Sequence, residues 1–73
     1  MKWHNTNECP DKYATIVLLC ENGKIYFDGM FDGEYEVWDY EKEINKTPKE
    51  KVVGWMYQSV VKDYLRGLKT EEN

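Results

Sequence analysis

Three side chains in this 73-residue chain are of the kinds that ligate metals or act as nucleophiles and bases: the single histidine, His4, and the thiols of Cys9 and Cys20. Their spacing, H-x4-C-x10-C, lacks the C-x2-C knuckle of structural zinc sites and supplies no fourth ligand. A lone imidazole without an orienting partner is also a poor general base. Carboxylates are plentiful, and Asp28 and Asp39 are expected on one face of a sheet. Acid–base work would need such a pair inside a cleft that shifts their pKa values, and a short meander has little room for one. Gly29 and Gly33 belong to a strand and a turn and do not make a phosphate-cradling loop. The expectation is a protein with no catalytic residues, no metal and no cofactor, in which Cys20 is a small core residue.

Charge narrows the partners. Fourteen acidic residues against ten basic ones give a net charge of −4, which repels phosphate backbones and argues against direct nucleic-acid binding. The run Asp28, Asp32, Glu34, Glu36, Asp39, Glu41 and Glu43 is either a solvating surface or an acidic stripe that imitates nucleic acid and blocks a DNA-binding protein. No stretch has the length of a membrane span, and the opening "MKWHNTNECP" has no apolar core of a secretory leader. A cytoplasmic protein with reduced thiols is expected, a Cys9–Cys20 bridge being the alternative.

The elements that must position these residues read clearly. The run "TIVLLC" from Thr15 is a strand; Asn22-Gly23 follows it with hairpin chemistry. "KIYFDGMF" ends at Asp32-Gly33, and "EYEVWDY" closes a three-stranded meander. If both turns are two-residue loops, Cys20 lies opposite Ile25, Leu18 opposite Phe27 and Ile16 opposite Gly29, with Trp38 and Tyr40 on the same face. The other face then carries Val17, Leu19, Tyr26, Met30, Tyr35 and Val37. A three-residue turn with a bulge at Gly33 would instead flip the third strand. Charged "EKEINKTPKEK" is a loop, and "VVGWMY" a fourth strand. Val60, Val61, Tyr64, Leu65 and Leu68 recur at helical spacing, with Ser59 as N-cap.

The order of landmarks, Trp3, Cys9-Pro10, "IVLLCENGKIYFDGMFDG" and "VVGWMY", resembles a family of small uncharacterised domains of bacteriophages and prophages, the domain of unknown function numbered five-five-one. The resemblance spans Trp3 to Met56. The chain departs from that pattern at Gly54, where the family commonly has a polar residue or His, and at Tyr57-Gln58, where it commonly has Pro. The resemblance implies a phage or bacterial origin and brings no established activity with it.

The resulting expectation is a single α+β domain: an N-terminal arm over 1–14, a curved antiparallel β-meander of three to four strands over 15–57, a helix over 59–69 packed on one face, and a disordered tail over 70–73. A half-open SH3-like barrel is the alternative, should Gly29 and Gly54 bend the strands. Both sheet faces are apolar, and one short helix covers only one of them. Tyr26, Met30, Tyr35, Val37 and Trp3 are therefore the candidate interface, to be covered by a second copy of the chain or by a host protein.

Overall fold

Both Gly turns close hairpins, but with one residue more than the shortest loop. The computed structural model describes residues 2–71, with side chains as far as residue 68. At the first turn the Gly23 N–H donates to the Cys20 carbonyl at 2.9 Å, and the Cys20 N–H donates to the Lys24 carbonyl at 2.9 Å. Gly23 sits at a φ of 88°, which side chains with a Cβ rarely adopt. At the second turn Phe31 faces Tyr35 across the three residues Asp32 to Glu34.

Among the described residues six antiparallel strands form one open sheet: β1 (His4–Asn5), β2 (Ile16–Cys20), β3 (Ile25–Phe31), β4 (Tyr35–Asp39), β5 (Ile44–Lys46) and β6 (Val52–Tyr57), followed by α1 (Gln58–Glu71). Their order across the sheet is β1-β6-β2-β3-β4-β5. The fold is thus α+β with a C-terminal helix, but the expected three to four strands are six, and the open sheet is neither the curved meander nor the half-closed barrel. The two extra strands are short. β1 comes from the segment expected to be an irregular arm, and β5 from the charged stretch expected to be loop. Two-residue and three-residue strands are too brief to show a period-2 pattern.

The longer turns move the register. Leu18 pairs with Tyr26 and Leu19 with Ile25, one residue from expectation, and an extra residue in β3 restores the expected Ile16–Gly29 pair. Gly29 pairs with Val37, so β4 takes the flipped setting. Tyr26, Tyr35 and Val37 thereby join Ile16, Leu18 and Trp55 on a covered face, where Ile16, Leu18, Val37 and Trp55 are 0–2% exposed. Phe27 and Trp38, which the shorter turns would have placed there, go to the other face.

Two segments cover the core face. The N-terminal one crosses with Pro10 buried, held by the Trp55 Nε1–H donating to the Glu8 carbonyl at 2.8 Å and by the Asp11 N–H donating to the Tyr57 hydroxyl at 3.0 Å. The other, residues 47–51, carries the chain from β5 past three strands to β6. Its six Cα steps reach ~20 Å, and the four strand spacings to be crossed amount to ~19 Å. The crossing is nearly taut, and it is pinned midway by the Tyr26 hydroxyl donating to Glu50.

Gly29 shows how closely the centre is packed. A Cβ there would stand 2.9 Å from Leu18 Cγ and 3.1 Å from the Ile16 carbonyl oxygen. Gly29→Ala is expected to destabilise the fold by ~1–3 kcal/mol, the usual cost of overpacking. A urea midpoint equal to that of the wild type would contradict it.

Candidate interaction surface

The thiols and the imidazole do not converge. Cys20 is buried in β2 and Cys9 is exposed; both are free. Burial first, and then the nearby Glu50 carboxylate, push the Cys20 thiol above its ordinary value. His4 is held rather than mobile: its ring stacks on Trp55 with centroids 4.3 Å apart, and its Nδ1 faces the Glu8 carboxylate. Among the described residues no three His, Cys, Asp or Glu side chains come together as metal ligands would. The Asp28–Asp39 pair expected on one face is split. Asp39 turns to the core side and pairs with Lys46 at 3.4 Å. Asp28 turns to the open side.

The other acidic residues are dispersed in the same way. Asp32 pairs with Lys12 at 3.2 Å, Glu34 lies in one turn, Glu41 and Glu43 lie in another at the far end of β4, and Glu36 faces outward from the middle of that strand. Backbone N–H groups, first that of Lys42, hold the Asp39 carboxyl below the usual carboxylate range. A hydrogen bond from Tyr26 does the same for Glu50, with Lys24 adding to it. Both groups bind protons more weakly folded than unfolded. The stability they contribute is therefore present above the unfolded carboxylate range and lost as pH falls through the depressed values. Glu50→Gln is expected to flatten the acid limb of thermal midpoint against pH below pH ~4. An unchanged acid limb would contradict this.

The five expected interface residues divide between the two faces. Val37 is 1% exposed and belongs to the core. Tyr26 and Tyr35 are half-buried and pack against it, and burial, followed by the nearby Cys9, raises the Tyr35 hydroxyl pKa. These three do not present a surface, because the register shift carried them under the N-terminal segment and the 47–51 crossing. Met30 and Trp3 do lie on the open face. Met30 pairs with Glu36 there, and the Trp3 Cβ stands 3.5 Å from where a Gly54 Cβ would be, beside Leu19. Ile25, Phe27 and Trp38, all exposed, complete this face.

The helix adds what the sequence reading placed elsewhere. Gln58 fixes its start: the backbone N–H donates to the Thr15 carbonyl at 3.0 Å, and Nε2 donates to the Phe27 carbonyl at 2.9 Å and to Asp28 Oδ1 at 2.8 Å. The helix therefore begins one residue before the expected cap, Ser59. Val17 and Met56, paired across β2 and β6, are buried where the helix meets those strands. From Lys62 to Leu68 every side chain is exposed. The apolar stripe expected to pack on the sheet is left open, with Val60 48%, Tyr64 46%, Leu65 52% and Leu68 41% exposed. The helix projects, and the molecule measures 39 Å along its long axis against 30 and 25 Å. Its backbone continues through Glu71, overlapping the expected tail, whose residues 72–73 lie outside the described residues.

A short polar Gln with no hydrophobic or capping signature gave no sign in the sequence of anchoring a helix. Among the described residues no helix is long and apolar enough to cross a membrane. No family model matches the chain, and neither a curated protein nor a solved structure matches it.

Proposed function

We propose that this chain is a non-enzymatic protein-interaction module whose docking element is the apolar stripe of α1, and that a second copy of the chain occupies it. The observation that carries the reading is the half-exposure of Val60, Tyr64, Leu65 and Leu68 on a helix that leaves the sheet after its first turn. Isolated helices of 14 residues are marginal in water, so a partner on the stripe would supply the packing that the sheet does not.

The sequence of the helix is self-complementary. An antiparallel pair centred between Tyr64 and Leu65 sets Tyr64 against Leu65 of the second copy and Val61 against Leu68, while Asp63 and Arg66 pair with each other at 3.4 Å on the far side of the same helix. Apolar residues meet apolar residues, and the same patch faces itself, as two-fold symmetry requires. A helix ~21 Å long and ~10 Å wide has a footprint of ~200 Å², well below the ~800 Å² per partner of a standard interface. The association is expected to be weak and concentration-dependent.

Sedimentation equilibrium from micromolar to millimolar protein tests it. A reversible monomer–dimer equilibrium is expected, and a monomer at every concentration would overturn self-association. The resemblance to phage-borne domains makes a host protein with a hydrophobic groove the other occupant of the same stripe. The acidic-mimic alternative finds little support, since its seven carboxylates are spread over both faces and two turns.

A further inference from the structure

On the open face of the sheet, Tyr13, Trp38 and Tyr40 stand around a shallow cleft of about 280 Å³ with Asp28, Met30 and Asn45 in its lining. We infer that this cleft is a binding site for the guanidinium group of an arginine side chain presented by a partner protein.

The rings are costly to leave where they are. Tyr13 is 62% exposed and Tyr40 70% exposed, and Tyr13 holds a φ of 67°, which a residue with a bulky side chain adopts only when its surroundings impose it. Those surroundings are visible: the Tyr13 N–H donates to the Phe31 carbonyl at 3.3 Å, and its hydroxyl donates to Asp32 at 3.2 Å. Tyr40 is fixed by its hydroxyl donating to Asp28. The two rings are thus held in place while staying more than half exposed.

The carboxylate between them has only neutral partners. Asp28 accepts from the Tyr40 hydroxyl and from Gln58 Nε2, and among the described residues no Lys, Arg or His pairs with it. A carboxylate offers about four acceptor positions, so two are left for an incoming donor. Electron-rich rings lining one cleft with a carboxylate that has no cationic partner select a cation. The planar fork of arginine suits the site better than an ammonium, because it stacks on an aromatic face while donating in its plane to Asp28 and to the Asn45 carbonyl. Tyr13 already carries a cation of its own chain, since Lys12 Nζ lies 5.2 Å from its ring centroid while pairing with Asp32 at 3.2 Å. The cleft's volume falls just under the ~300–1,000 Å³ of pockets for drug-sized ligands, a size for one side chain.

The test is a titration of isotope-labelled protein with N-acetyl-arginine amide and, in parallel, with its neutral isostere N-acetyl-citrulline amide. The arginine compound is expected to shift the Trp38 indole N–H, the Asn45 amide and the backbone of 28–30, saturating with Kd near ~1 mM, the strength of a single such contact. Citrulline is expected to shift nothing there. Asp28→Asn should weaken the arginine compound about tenfold, the value of one charge-assisted hydrogen bond. Because Asp28 also holds Gln58, Trp38→Ala provides an independent variant, which removes an exposed ring and should likewise weaken the shifts of the Asn45 amide and the 28–30 backbone. Equal responses to arginine and citrulline, shifts spread over all the acidic side chains, or no shift at ten times the expected Kd would each overturn the assignment. The site is separate from the helix stripe, so its failure would leave the sedimentation result untouched.

Discussion

Replacing Trp55 by Ala is expected to leave the chain largely unfolded at 25 °C. The indole is 2% exposed, stacks on His4, meets Tyr57 edge-on with centroids 5.0 Å apart, and donates to the Glu8 carbonyl. Truncating a buried Trp costs ~3–5 kcal/mol, whereas a single small core rarely supplies more than ~3–5 kcal/mol in total. The effect falls on the whole molecule because this one side chain joins β6 to β1 and to the covering N-terminal segment. Trp55→Phe separates the contributions. It keeps most of the apolar area but leaves the Glu8 carbonyl without its donor, a loss of ~1–3 kcal/mol. Far-UV circular dichroism with urea titration distinguishes the two variants, and an Ala variant that melts cooperatively near the wild-type midpoint would show that the core does not depend on this ring.

Leu65→Asp is expected to act in the opposite way, leaving the fold intact while lowering self-association at least a hundredfold. Leu65 is 52% exposed in the monomer, so a carboxylate there stays solvated until the stripe is covered. In an antiparallel helix pair it would be buried beside Tyr64 of the second copy without a counter-charge, and such burial costs several kcal/mol. Sedimentation of the variant should show only monomer at concentrations where the wild type dimerises, with an unchanged urea midpoint. If the variant dimerises as well as the wild type, the stripe is not the contact. If it loses stability in the monomer, the helix packs more closely on the sheet than its exposure indicates.

The α+β class, the β2–β3–β4 meander, the strand at Val52 and the C-terminal helix were all legible, because each is long enough to show its own period. What failed was decided by single residues at turns. Asn22-Gly23 reads equally well as a two-residue or a longer loop, and the longer one exchanges Phe27 for Tyr26 beside Leu18. Trp38 and Val37 trade places for the same reason at Gly33. Because side chains alternate between faces, one added residue moves a whole set of aromatics to the other side. This is why only Met30 and Trp3, of the five residues expected at the interface, lie on the open face. The apolar stripe on the helix was read correctly as a pattern, but periodicity shows that a face is apolar and not what covers it. The cleft could not be foreseen at all, since it depends on Tyr13, a residue between strands with no periodic context.

The place of β6 in the sheet bears on how the chain reaches this state. β2, the run Ile16–Cys20, is apolar along its length, and it gains one neighbour, β3, from the adjoining hairpin. Its other neighbour is β6, which starts more than thirty residues later and is reached through the 47–51 crossing over the core. Closing so long a loop is slow, because its entropy is lost before the contacts form. Throughout that interval β2 is an unpaired edge of Ile, Val, Leu, Leu and Cys with no charge to deter another strand. Folding is therefore a race between β6 and a neighbouring molecule for the same row of backbone hydrogen bonds, and refolding yield should fall as protein concentration rises.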